Sequence, residues 1–143
     1  MTETTNTLEL TFERTIPASP AQVFDAWLSP KVPGTPWNMA EKLSLDPKTD
    51  GLFFWHAKGV SHYGRFTEVE RPVRMQHTWV SPHTSGLESV VTVTFKKQGE
   101  NTVMALVHSG LPDTPGGRKH ESGWNYFLNQ FPSQFANASS EEK

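Results

Sequence analysis

The sequence predicts an α+β domain, with a curved antiparallel sheet of about six or seven strands, one short helix after the first strand and one long helix at the C-terminal end. Three observations carry this. Apolar residues alternate with polar ones through most of the chain, as in half-buried strands. Helical spacing appears only twice, near either end. The strand-like runs are joined by short Gly, Pro, Asp and Asn links, which suit consecutive antiparallel pairing rather than crossovers.

Residues 8–16, LELTFERTI, set Leu8, Leu10 and Phe12 against Glu9, Thr11 and Glu13, the period of a strand with one face buried. In ASPAQVFDAWLSP, Ser19 is placed as N-cap, Pro20 at the first helical position and Gln22 three residues after the cap, a capping-box pattern. Val23, Phe24, Trp27 and Leu28 follow at helical spacing, and Pro30 ends the run. The stretch KVPGTPWN, with two prolines and a glycine around Trp37, reads as an ordered loop. EKLSLDPKTDG, LFFWHAKG and HYGRFTEVE then read as three strands, the latter two joined near Gly59 to Ser61. RPVRMQHTWV is a further strand, stopped by Pro82, and LESVVTVTFKKQGENTVMALVHSGLP is a hairpin turning at KQGEN. Finally Trp124, Phe127, Leu128, Phe131 and Phe135 share one helical face, with Asn125, Asn129 and Gln130 toward water and Tyr126 at the margin. Pro132 falls within that series and must end or kink the helix, because it lacks the amide that would bond the Leu128 carbonyl.

Bulk composition narrows the function. A chain of 143 residues fits a single domain, here with residues 7–136 as ordered core and flexible tails at 1–6 and 137–143. Thirteen basic and fifteen acidic residues, a net charge of -2, leave no basic stripe for nucleic acid. There is no cysteine, so disulfides and thiolate metal sites are excluded and a cytoplasmic setting is expected. No run approaches the roughly 20 apolar residues needed to insert across a membrane. Monomer and homodimer are both compatible with open sheet edges.

The ordered set RTIPASPAQVFDAW, DGLFFW, GRFTEV, HTW, VTVTF, HSGLPD and GWNYFL, from Arg14 to Leu128, resembles the START-like or SRPBCC superfamily. Within it the chain is most similar to the AHSA-type group, named after the activator of a heat-shock chaperone ATPase. The resemblance implies a helix-grip fold, in which the long C-terminal helix lies across the curved sheet and a hydrophobic cavity separates them. It implies three functions: binding of a small hydrophobic molecule, aromatic or acyl-bearing; a polyketide cyclase or aromatase-like activity; or a chaperone-partner module. Where many relatives carry a second small helix, this chain has its Pro-rich segment, so a loop is expected at the cavity mouth.

Strand alternation places Phe53 and Trp55, Met75, His77 and Trp79, Val91, Val93 and Phe95, and Met104, Leu106 and His108 on the inner face. Five Trp and nine Phe are more rings than one interface of this size needs, which favours a chamber over a solid core. The expected ligand-binding set is Trp37, Phe53, Trp55, Phe66, His77, Trp79, Met104, His108, Trp124, Phe127 and Phe131. His77 and His108 are either polar anchors for a ligand or core histidines satisfied by backbone, the second being commoner. His62, Tyr63 and Arg65 form an alternative rim for an anionic group, against the plainer reading of a solvated edge. Glu68 shares its parity with Gly64 and Phe66 and is the best inner-face carboxylate for proton transfer. No catalytic residue is assigned, since there is no G-x-S-x-G elbow, and no cofactor is expected. His56, His62, His77, His83, His108 and His120 lack HExxH or i, i+4 spacing, so no metal site is expected either.

Overall fold

The computed structural model describes residues 7–135; the tails expected at 1–6 and 137–143 lie outside the described residues. Seven strands form one antiparallel open sheet: β1 (Thr7–Ile16), β2 (Lys42–Leu45), β3 (Leu52–Ala57), β4 (Val60–Glu70), β5 (Arg74–Trp79), β6 (Ser89–Gln98) and β7 (Asn101–Pro112). The spatial order is β1-β7-β6-β5-β4-β3-β2. The chain thus lays down one edge, crosses to the other through α1 (Pro20–Trp27) and α2 (Pro36–Met39), and meanders back by hairpins to pair β7 with β1. The long helix α3 (Pro115–Gln130) follows and packs against β1 and β7.

Local chemistry explains each boundary. The Ser19 hydroxyl accepts from the Gln22 amide at 3.3 Å, and the Gln22 side chain accepts from the Ser19 amide at 3.0 Å, closing the capping box of α1. The segment expected to be a plain loop contains a further helical turn: Thr35 caps α2 by accepting from the Asn38 amide at 3.1 Å, with Pro36 at its first position. The two prolines there delimit the turn rather than prevent it, because a proline at the first position has no partner to lose. Gly34 is required for this arrangement. Its φ is +93°, and a Cβ would sit 2.5 Å from the Phe131 amide nitrogen, so only a glycine lets the loop lie against the end of α3.

Pro132 interrupts the helix locally without turning the chain away from it: α3 closes at Gln130, Phe131 keeps helical dihedrals, and Ser133 to Phe135 are helical again, with the Phe135 ring 5.4 Å from that of Phe131. At the other end α3 begins at Pro115, well before its apolar face. Thr114 caps it, and Gly117 allows the first turn to touch strand β7, since a Cβ there would lie 1.9 Å from the Pro112 carbonyl.

The inner face of the sheet carries the residues that alternation assigned to it, all of them buried. One assignment is corrected. A β-bulge between Phe66 and Glu68 inserts an extra residue into β4, so Phe66 faces the core but Glu68 faces outward. There Glu68 accepts from Arg74 Nε at 2.9 Å and cannot serve as an inner-face carboxylate. Asn125 and Asn129 are corrected as well: instead of facing only water, both accept from the Arg14 guanidinium, at 3.1 and 3.0 Å, and tie α3 to β1.

Between sheet and helices the rings are divided. At the C-terminal half of α3 they form a solid core: Phe131 meets Trp27 edge-on at 5.1 Å, and Trp37 meets Phe53 edge-on at 5.1 Å. The Trp37 indole nitrogen donates to the Trp27 carbonyl at 3.0 Å, which fixes α2 under α1. Phe24 of α1 covers Phe95 of β6 at 5.2 Å. Along the N-terminal half of α3 the packing opens.

Candidate functional site

The opening is a cleft of about 510 Å³ between the inner face of β3, β4 and β5 and the first turns of α3. Its floor is built of rings from separate elements: Trp55 on β3, Trp79 on β5, and Trp124 and Phe127 on α3. Each is nearly inaccessible to solvent because it packs sideways on its neighbours. Trp79 lies 5.2 Å from Trp124 and 6.0 Å from Trp55. Met39 of α2 closes one side, and Lys58, His83, Lys119 and Tyr126 form the rim.

Of the expected ligand-binding residues, Trp55, Trp79, Trp124 and Phe127 line this cleft. Trp37, Phe53, Phe66, His77, Met104, His108 and Phe131 lie behind it, in the packed layer, and none reaches the cleft wall. Strand parity put Phe53, Phe66, His77, Met104 and His108 on one face and helical spacing turned Phe131 toward them, but neither pattern carries information on how far along the strand the helix leaves a gap. The rim expected from His62, Tyr63 and Arg65 is split by the same alternation. His62 points into the cleft, whereas Tyr63 stacks beside Phe54 on the outer face at 5.3 Å and Arg65 pairs with Asp50 at 2.9 Å.

His120, His83, Met39 and Lys58 line the cleft and were not among the expected residues. His120 had a legible signal: it lies one helical turn before Trp124 on the same face of α3. The other three sit in turns or in a one-turn helix, where no periodicity points to a partner.

The buried histidines separate into two kinds. His108 belongs to a closed chain: the Trp124 indole donates to its Nδ1 at 2.9 Å, so its Nε2 carries the proton and donates to Ser89 Oγ at 2.8 Å. Ser89 in turn donates to the Trp79 carbonyl at 2.8 Å. Every donor and acceptor is used, which fixes one neutral tautomer. Burial, with lesser repulsion from His120 and His77, pushes the His108 imidazole down to about 2. His77 donates from Nδ1 to the Thr78 carbonyl at 2.9 Å among Phe53, Phe66 and Trp79, and burial pushes it down to about 4. Both are structural core histidines.

His62 and His120 stand on the cleft itself. His120 donates from Nδ1 to the Gly117 and Gly116 carbonyls, at 3.0 and 3.1 Å, and accepts from the Trp79 indole at 3.3 Å. Burial lowers its proton affinity, partly offset by those carbonyls. His62 stacks flat on Trp55, ring centres 3.9 Å apart. Burial, then the nearby imidazoles of His120 and His83, push it down to about 4. Its Nδ1 and the Trp55 indole nitrogen are both buried without a hydrogen-bond partner. Leaving such groups unpaired costs about 1–3 kcal/mol each, and both belong to residues that line the cleft. Among the described residues no group of histidines and carboxylates has metal-binding geometry.

An open antiparallel sheet gripped by a long C-terminal helix over a ring-lined cleft defines a helix-grip-like α+β protein. The chain belongs to the family of Activator of Hsp90 ATPase homolog 1-like proteins, whose model matches residues 17–136. Similar folds occur in protein CV1439 from Chromobacterium violaceum (22% identity, 89% of this chain and 96% of that one, TM-score 0.72). CalU16 from Micromonospora echinospora is also similar (19% identity, 94% and 79%, TM-score 0.70). So is the Aha1 dimer from Colwellia psychrerythraea (14% identity, 90% and 96%, TM-score 0.71). No curated protein matches the chain. Among the described residues, no helix is long and apolar enough to cross a membrane.

Proposed function

We propose that this protein binds a small hydrophobic molecule, aromatic or acyl-bearing, between the sheet and α3, in the cytoplasm. The observation that carries the reading is the cleft floored by Trp55, Trp79, Trp124 and Phe127, which holds about 510 Å³ beside a core packed solid elsewhere. Flat rings bounding space of this size suit a ligand with an apolar body, and pockets for small molecules commonly fall in this volume range. The remaining expected residues, Trp37, Phe53, Phe66, His77, Met104, His108 and Phe131, support that floor from behind. Native mass spectrometry of the protein as purified, joined to a thermal-shift screen of apolar metabolites, tests the proposal. A retained or stabilising apolar molecule, lost on Trp79→Ala, supports it. A cleft that takes up no such molecule refutes it.

A second reading, a cyclase or aromatase-like enzyme, is favoured by His62 and His120, two titratable groups facing one cleft. It calls for different proton carriers than the sequence suggested, since His77 and His108 are engaged in the core and Glu68 is outside. Turnover of an aromatic polyketide substrate abolished by His62→Gln would establish it. A chaperone-partner role calls for a protein-binding face, and a concave ring-lined cleft suits a small molecule better.

A further inference from the structure

The charged side chains that line the cleft are all of one kind. Its rim carries Lys58, from the β3–β4 turn, and Lys119, from α3, together with the imidazoles of His62, His83 and His120, and none of its lining residues is Asp or Glu. This bias is local, because the whole chain carries a net charge of -2. Among the described residues, neither Lys58 nor Lys119 has a carboxylate within 4.0 Å, a state they share with Arg14, Lys31, Lys42, Lys96 and Lys97, so each ammonium is available to a ligand. Glu41 approaches the same turn, but its carboxylate accepts from the Lys58 backbone amide at 3.2 Å rather than from the ammonium.

Behind the ring floor lie two polar atoms without partners. The Trp55 indole nitrogen can only donate, and it is buried without an acceptor. Beside it, His62 Nδ1 is likewise unpartnered. His120 is the exception, since both of its nitrogens are engaged within the protein. The cleft therefore offers positive charge at its rim, a ring floor below, and no Asp or Glu among its lining residues.

We infer that the molecule bound in this cleft is an apolar acid: a ring or acyl body against Trp55, Trp79, Trp124 and Phe127, and an anionic head between Lys58 and Lys119. This rests on the binding function proposed above and narrows its ligand class. The charge complementarity selects a carboxylate, sulfonate or phosphate ester over a neutral or cationic ligand of the same body, as opposite charges are matched elsewhere in molecular recognition.

Two dyes sharing one ring system separate the terms: 1-anilinonaphthalene-8-sulfonate carries an anionic head, and N-phenyl-1-naphthylamine lacks it. Each is titrated into the folded protein by fluorescence at low ionic strength, with energy transfer from tryptophan confirming location. The sulfonate is expected to bind tighter by about fivefold or more, what two partly exposed ion pairs provide. In Lys58→Asn/Lys119→Gln that preference should disappear while binding of the neutral dye stays unchanged; asparagine keeps the left-handed turn position, φ 53°, that Lys58 occupies. A control pair outside the cleft, Lys31→Gln/Lys42→Gln, should leave the preference intact. Equal affinity for the two dyes, or a preference that survives the cleft variant, overturns the inference and leaves the apolar-binding reading standing. Absence of binding by either dye overturns both.

Discussion

Lowering the pH from about 7 to about 5 should remove about 4 kcal/mol of folding stability through His77 and His108 alone. Both are shut away from solvent, at 1% and 0% exposure, and burial holds them at about 4 and about 2, against an ordinary value of 6.5. The unfolded chain takes up a proton at each as the pH passes below 6.5, while the native protein does not. Across that window the unfolded state binds more protons, so stability rises with pH and falls on acidification. For each histidine the unfolded chain gains about 2 kcal/mol between these pH values, and the native state gains almost nothing. His62 and His120, both lowered by burial, act in the same direction. Asp25, lowered by its hydrogen bond from Arg71, contributes stability that is present throughout this window and is lost only as the pH falls below its ordinary 3.8. A domain with roughly 5–15 kcal/mol in total should feel this strongly. Urea unfolding followed by tryptophan fluorescence, in steps of pH, measures it. His77→Leu should flatten the slope by up to about 1.4 kcal/mol per pH unit. Stability that stays level between pH 7 and pH 5, or a slope that His77→Leu leaves unchanged, would refute the reasoning.

Other substitutions test the packing. Trp124→Ala should cost about 3–5 kcal/mol, from lost contacts with Trp79 and Trp27 and the cavity left behind. Trp124→Phe keeps most of the ring but leaves the His108 Nδ1 without its donor, and should cost about 1–3 kcal/mol in chemical denaturation. A small loss for the alanine variant would show Trp124 to be cleft wall only. Gly34→Ala should destabilise by about 2 kcal/mol or more, since it combines a positive φ with a Cβ pressed on the Phe131 amide; unchanged thermal unfolding would count against that contact. Arg14→Met should cost about 1–2 kcal/mol and raise hydrogen exchange in the second half of α3, because both asparagine acceptors lose their donor.

Much of the fold was legible because its signals are local. The capping box at Ser19, the period-two strands and the KQGEN hairpin each lie within a dozen residues, and the structure has them where the sequence implies. The candidate site was legible only in part. Trp55, Trp79, Trp124 and Phe127 were visible as inward rings, but so were Phe53, Phe66 and Phe131, which carry the same pattern and fill the core. The β4 bulge reversed Glu68 with neither glycine nor proline between Phe66 and Glu68 to announce it. The short α2 was hidden by the prolines that in fact frame it.

The sequence by itself determined the order of elements, the inner faces of most strands and the aromatic character of the interior, because alternation and helical spacing act within single elements. Only the tertiary structure decided where those rings part to leave a cleft. That depends on α3 starting at Pro115 and ending at Gln130, on Gly34 and Gly117 letting it approach at both ends, and on Arg14 reaching it from β1. It also decided that His62 and His120 share the opening while His77 and His108 do not, since the distance of a side chain from the gap is set by contacts between elements remote in sequence.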